Sequence, residues 1–329
     1  MSSAVVHGAA KMRRPAASLA ATLHCGPHRP PALSETSMKP LSAARAALLA
    51  VLIVPGLALA QAGNAPLDGR LKKARDTQTI TLAYRTDAAP FSFEDADKQP
   101  AGYTVDLCKR IVASIERQIG AKELKIKWVA VTAQNRFETV AKGAADLECG
   151  SSSVTLGRMR EVDFSNYTFV DGTGLLVKAS LTAKGLTDLG GKKIGVIAGT
   201  SNERALNDAL KNKLVNASVV TVKSRDEGLA QLEAGTIDAF AGDRILLVGL
   251  AGKAKDPKAF ALLADALSFE PYAIATPRGD WQLRLAVNTG LAQIYRSGAI
   301  GEIFMRWFAP LGRPSPLMET VFLFGALPE

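Results

Sequence analysis

The stretch TAQNRFETVAKGAADLECGSSSVTLGRMR, residues 132–160, decides how the rest of the chain is read. It divides into a polar loop, an amphipathic helix, a short buried strand and a second polar loop. Phe137, Val140 and Ala141 give the helix its apolar face, and Gly143 closes it where an achiral residue costs least. Asp146-Leu147-Glu148-Cys149 is short and bounded by glycines, as a strand is. Ser151, Ser152 and Ser153 follow, exposing hydroxyls and backbone N–H groups at the strand's carboxyl end, where open α/β sheets bind ligands. Arg136 and Arg158 flank this turn. Hydroxyls, amides and two planar guanidinium forks suit a small molecule bearing a carboxylate. Either arginine alone reads equally well as a solvated surface charge.

Upstream, TITLAY (79–84) is a strand by its β-branched content, and Arg85 stands at its carboxyl end. Phe93 to Gly102 reads as a turn-rich hairpin. Leu107, Cys108, Ile111, Val112, Ile115 and Ile119 recur at helical spacing. IKWVAV (126–131) is the next strand, and residues 61–77 read as a mobile lead-in. Downstream, a second unit starts with KKIGVI (192–197) and opens a helix at Thr200-Ser201. Val219–Val222 is a strand and Ser224-Arg225-Asp226-Glu227 a polar loop. GLAQLEAGTIDAFAGD (228–243) then repeats the layout of the opening stretch. With Gly143 placed on Gly235, Asp146 falls on Asp238 and Ser151 on Asp243, while Phe137 and Val140 fall on Leu229 and Leu232. Strands at 259–264 and 272–275 precede a long helix carrying Leu283, Leu285, Leu291 and Ile294, then a last helix from Ile300 to Phe308 and a Pro-rich tail. The layout predicts two α/β lobes, 78–174 with 273–311 and 175–272, joined by crossings near 172–177 and 268–273. A cleft between two hinged lobes is a preferred place for small ligands.

The formal charge of +9 is misleading, because residues 1–60 hold six Lys/Arg against one acidic residue. The remainder carries 34 against 30, too mild and dispersed for a nucleic-acid surface. Ala46–Ala60 is an apolar run preceded by Lys39 and Arg45 and ending Ala58-Leu59-Ala60, the three parts of a secretory signal. Residues 38–60 are therefore expected to be a cleaved signal peptide, with 1–37 an over-extended start without fold signal. Every histidine (His7, His24, His28) precedes the expected cut, so the mature chain lacks the usual general base and the commonest metal ligand. Two remaining cysteines cannot make a structural zinc site. No metal or other cofactor is expected.

Across the cleft the polar strand ends are Arg85, Arg136, Ser151, Ser153 and Arg158 from one lobe and Thr200, Arg225 and Asp243 from the other. Thr200 lies at a helix N-terminus, which favours an anion, and Asp243 is the natural partner of an ammonium. The set suits an α-amino acid. APFSF (89–93), GYTVDLC (102–108), GSSSVTLGRMREVDFS (150–165), LEAGTIDAF (232–240) and the Phe304–Phe308 helix, in this order and spacing, resemble the family 3 extracytoplasmic solute-binding proteins of amino-acid ABC transporters. TAQNR, DLECGSS and FVDGTGLL (169–176) resemble the glutamate/aspartate-binding branch of that family.

The resemblance implies a two-lobed, type II periplasmic-binding-protein-like α/β fold, and a periplasmic, monomeric receptor delivering an amino acid to a membrane permease. It implies that Arg158, helped by Ser153 and Thr200, binds the α-carboxylate, and that Asp243, with Ser151 nearby, binds the ammonium. Arg85 and Arg136 would face a side-chain carboxylate. Two positions depart from the branch: Ala133 stands where it commonly has serine, and Arg225 where a histidine is expected. Phe91 reads either as a cover for the ligand's apolar stem or as a core residue beside Pro90. Cys108 and Cys149, in one lobe and in an oxidising compartment, are expected to pair, the alternative being two separate buried thiols. The competing class is a cyclohexadienyl-type dehydratase on the same fold, with Glu148 or Glu203 as its proton donor. A sensory domain would need a membrane span or signalling extension.

Overall fold

Two five-stranded sheets built on one plan organise the computed structural model, which describes residues 66–328; the expected leader at 1–60 lies outside the described residues. The first sheet opens after helix α1 (Gly69–Thr77) with β1 (Thr79–Arg85). A small antiparallel sheet of β2 (Asp87–Ala88), β3 (Ser92–Glu94) and β4 (Pro100–Ala101) leads to α2 (Tyr103–Ile119). Then come β5 (Lys125–Val131), α3 (Arg136–Ala141), β6 (Leu147–Glu148) and β7 (Val162–Asp171). The second sheet takes β8 (Thr173–Lys178), β9 (Lys193–Ile197), α4 (Ser201–Asn212), β10 (Ser218–Val222), α5 (Arg225–Ala234), β11 (Ala239–Asp243), α6 (Arg244–Ala251) and β12 (Phe260–Leu262). The chain returns along β13 (Glu270–Pro277) and ends in α7 (Trp281–Arg296), α8 (Ala299–Phe308) and α9 (Pro316–Gly325).

The sheet orders are β5-β1-β6-β13-β7 and β10-β9-β11-β8-β12. In each, the first strand lies parallel between the second and third, and an antiparallel strand arriving from the other lobe follows. The repeat read from Gly143 and Gly235 is physical. Both glycines take left-handed φ, +78° and +74°. The Asp146 carboxylate accepts the Thr81 N–H at 2.7 Å while its own N–H donates to the Thr81 carbonyl. Asp238 does the same with Lys193, at 2.9 Å. Each aspartate thus pins the start of a third strand to the start of a first strand, and so fixes the register of both sheets.

The two crossings touch. A Cβ on Gly172 would lie 2.6 Å from the Ser268 carbonyl oxygen, and the Ser268 hydroxyl donates to Thr173 Oγ1 at 2.8 Å. A bulkier residue at 172 could not let the backbones approach so closely.

Cys108 and Cys149 form a disulfide that ties α2 to the end of β6. The adjoining core packs Phe91, Tyr103, Phe169, Tyr272, Phe304 and Phe308 ring against ring, largely edge-on and tilted, the geometry favoured by ring quadrupoles. The second lobe's apolar residues divide between two smaller clusters, one around Leu232 and Phe240, the other around Leu175, Val196 and Leu206.

Four readings need correction. The lead-in expected to be mobile forms α1 over much of its length; Asp68 caps it and Leu71 and Ala74 are buried. The Pro-rich tail contains α9, capped by Ser315 and held by Met318 and Phe322. Each helix buries too few residues to leave a clear period. Leu285 is exposed, because the buried stripe of α7 runs through Leu283, Ala286, Val287, Gly290 and Leu291. Ser224–Glu227 is no loop but a helix start: Ser224 accepts the Glu227 N–H, and the Glu227 carboxylate accepts the Lys223 N–H. The serine–glutamate spacing of a capping box was its legible sign.

Candidate ligand-binding site

Carboxyl ends of strands and first turns of helices converge between the lobes. Arg85 ends β1, Glu148 ends β6, and Ser151–Ser153 follow it. Arg136 opens α3, Arg158 opens a short 3₁₀ turn, Thr200 caps α4, Arg225 opens α5, and Asp243 ends β11 where α6 begins. Polar contacts close the space between the lobes. Ser153 Oγ lies 3.3 Å from Ser201 Oγ, and the Gln134 amide donates to the Ala198 carbonyl at 3.4 Å.

Asp87 is the residue that sequence reasoning missed. One of its carboxylate oxygens is 2.5 Å from Arg85 Nη2, and the other is 3.3 Å from Arg225 Nη1 across the lobe boundary. Arg225 Nη2 continues the chain to Asp243 Oδ2 at 3.7 Å. Burial alone would raise the Asp87 carboxyl, but the Arg225 and Arg85 cations outweigh it and hold it below its ordinary value. A usable sign was present: Arg85 and Asp87 are two residues apart in an extended segment, so their side chains share a face.

Arg136 and Arg158 are differently placed. Their guanidinium carbons lie 4.7 and 5.0 Å from the Phe137 ring centroid, which serves both as a cation–π platform. Arg158 Nη1 donates to the Ser153 carbonyl at 2.7 Å. Neither arginine has a carboxylate within 4 Å among the described residues, and Arg136 Nε is buried without a hydrogen-bond partner. Burial first, and then Arg158, bring Arg136 down to about 10. Arg85 is likewise brought to about 10, by burial and then by Arg225. Arg158 is lowered by burial against the opposing pull of Glu270 and Asp243. Cations so depressed are poised to gain from an arriving anion.

Asp243 is raised, chiefly by burial; Arg225 pulls it down and Glu270 pushes it up. Asn202 Nδ2 donates to its Oδ1 at 3.3 Å and to Thr173 Oγ1 at 2.9 Å, which joins the site to the hinge. Ser151 Oγ is buried without a partner, an open position for a ligand group. The Thr200 hydroxyl accepts the Glu203 N–H and donates to the Ile197 carbonyl, so capping already engages it. A cavity of about 440 Å³, lined by Gln134, Phe137, Arg158, Arg160, Thr200 and Arg204 among others, opens on the Arg158–Thr200 side of the cleft, and Arg85, Arg136, Ser151, Arg225 and Asp243 do not line it.

Phe91 is not at the site. It is fully buried, its ring centroid 4.9 Å from Phe169 and 5.2 Å from Tyr272, so the core reading replaces the ligand-cover reading. Of the two proposed proton donors, Glu203 is engaged in a helix cap, accepting the Gly199 N–H at 2.8 Å, whereas neither carboxylate oxygen of the buried Glu148 has a hydrogen-bond partner among the described residues. Glu148 lies fully buried under Gly150 beside Arg85.

A profile of the bacterial extracellular solute-binding proteins, family 3, matches residues 80–310. The L-glutamate/L-aspartate-binding protein of Pseudomonas aeruginosa is 35% identical over 262 residues, covering 79% of this chain and 87% of that protein. The glutamate/aspartate import solute-binding protein of Escherichia coli K12 is 30% identical over 262 residues, covering 80% and 87%. Among solved structures, an ancestral amino acid-binding protein described as a precursor of cyclohexadienyl dehydratase matches with a TM-score of 0.63 at 25% identity, covering 73% of this chain and all of that one. The substrate-binding protein of an ABC uptake transporter from Streptococcus pneumoniae, with bound histidine, matches at 0.64 and 23% identity, covering 72% and 95%. The fold is the two-lobed one that the sequence implied.

Proposed function

The chain belongs to the bacterial extracellular solute-binding proteins of family 3, and on that premise we propose that it captures glutamate or aspartate between its lobes in the periplasm. The single observation that carries this reading is a pair of buried or half-buried arginines, Arg136 and Arg158, without carboxylate partners among the described residues. Two guanidinium groups call for two carboxylates. Arg158, beside the Ser151–Ser153 turn, takes the α-carboxylate; Arg136 takes the side-chain carboxylate; Asp243 takes the ammonium. Arg85 and Arg225 act from behind, through Asp87.

On this reading residues 38–60 direct export and are removed, and the lobes are 78–174 with 273–311 and 175–272. A monomer closes on its ligand and presents it to a membrane permease, with no nucleic-acid partner. A thermal-shift screen of the twenty amino acids tests the specificity, since a ligand bound only by the folded state raises the melting midpoint. Glutamate and aspartate should give the largest shifts. Stabilisation by arginine, lysine or histidine, with none by glutamate or aspartate, would overturn the proposal.

A further inference from the structure

We infer that Asp87 tunes specificity: by engaging both Arg85 and Arg225 it offsets part of their positive field, leaves Arg136 and Arg158 as the two of these four buried or half-buried arginines without a carboxylate partner among the described residues, and so sets how strongly an acidic side chain is preferred over its amide. The inference rests on the amino-acid reading above and deepens it. Four arginines crowd the interlobe space, and each is buried or half-buried. Without Asp87, Arg85 would have no carboxylate within 4 Å among the described residues, and Arg225 only Asp243 at 3.7 Å. Asp243 would then be shared between Arg225 and the ligand's ammonium.

Asp87 resolves that competition. It draws Arg225 across the lobe boundary, so that Asp243 keeps capacity for a cation. The same contact contributes to closure, but closure alone does not discriminate between ligands of one shape. Charge does. Glutamate and glutamine are nearly isosteric, so changes in the cost of closing cancel in the ratio of their dissociation constants, and what remains is the field at the side-chain position.

Calorimetric titration of glutamate and glutamine into wild type, Asp87→Asn, Arg225→Gln and the double variant tests this. Asp87→Asn removes a negative charge from between two cations and should raise the preference for glutamate about tenfold, as one unscreened charge several ångströms away would. Arg225→Gln should lower the preference, and the double variant should bring it back to near the wild-type ratio. The single variants thus move the ratio in opposite directions, and either can be read if the other fails to fold. A ratio unchanged in the variants, with both ligands weakened equally, would reduce Asp87 to a tie between the lobes and sink the inference. Wild-type protein that binds no acidic amino acid would remove the functional reading itself, and this inference with it.

Discussion

The two lobes share a strand order but differ in how firmly they are made. The first gathers most of its apolar residues in one large cluster with six packed aromatic rings, beside a smaller one around Phe137 and Phe164, and is tied by a disulfide from α2 to β6. The second divides its apolar residues between two clusters, each smaller than the first lobe's main one, and has no cysteine to cross-link them. The first also holds three of the four arginines. Buried like charges repel one another, and in a loose scaffold they would move apart or draw in water. The lobe that gathers the cations is thus the one with the cross-linked, ring-packed scaffold, while the other brings Asp243 and Arg225 to it.

The largest effect is expected at Arg158. Arg158→Ala should leave the ligand's α-carboxylate without its charge partner in a closed site, at a cost of about 3–5 kcal/mol in affinity. Calorimetry that finds glutamate bound within a few-fold of wild type would show that the cationic lobe does not hold the carboxylate.

Removing the disulfide with Cys108→Ala and Cys149→Ala sharpens the contrast in stability. The bridge spans a sequence separation of 41, for which the chain-entropy relation gives about 4 kcal/mol. Hydrogen exchange should show the loss in the first-lobe amides, with those of β9 and β10 little changed. Equal loosening of both lobes would mean that they unfold as one unit.

The hinge links the lobes through Asp171, and here pH is the probe. Burial first, and Asp243 next, raise this carboxyl from 3.8 to about 7. Between those values the folded chain binds the proton more tightly than the unfolded chain does. The contribution to stability is therefore complete below pH ~4 and drains away as pH rises to ~7. Asp171 accepts the Gly172 and Ile245 N–H groups, so Asp171→Asn should be destabilising at pH 5. That deficit should shrink by about 2 kcal/mol by pH 8, because the amide has no charge to bury. Parallel stability curves for variant and wild type would contradict the shift.

The smallest effect tests how the second lobe positions its arginine. Ser224→Ala removes the cap of α5, which Arg225 opens, and should cost about 1 kcal/mol. Unfolding in urea would measure it, and no loss would show the cap to be redundant with Glu227.

Most of the fold was legible because period and punctuation agreed. Gly143 and Gly235 ended helices, Asp146 and Asp238 began strands, and both sheets follow from that repeat. The failures have physical reasons. α1 and α9 are held by a few residues against partners far along the chain, which local periodicity does not report. Phe91 follows a proline, and nothing local says which way its ring points. In the cleft, the polar residues at strand ends and helix starts could be picked out by their place in the local pattern. Asp87 was not picked out, since its role depends on an arginine from the other lobe, and a charge pair between distant segments leaves no local pattern.

The contact at Gly172 has a mechanical consequence. The two crossings run side by side, Asp171 paired with Glu270 before Gly172 and the Leu267 N–H donating to the Thr173 carbonyl at 2.8 Å after it, so the clearance at Gly172 bears on the angle at which the bodies rest. A methyl group at 172 would act as a shim, wedging the strands apart and tilting the resting angle of a protein whose binding groups are untouched. Apparent affinity scales with the fraction of molecules already in the binding-competent posture. The dissociation constant can therefore be tuned from the pivot, with the choice of ligand left to the residues in the cleft.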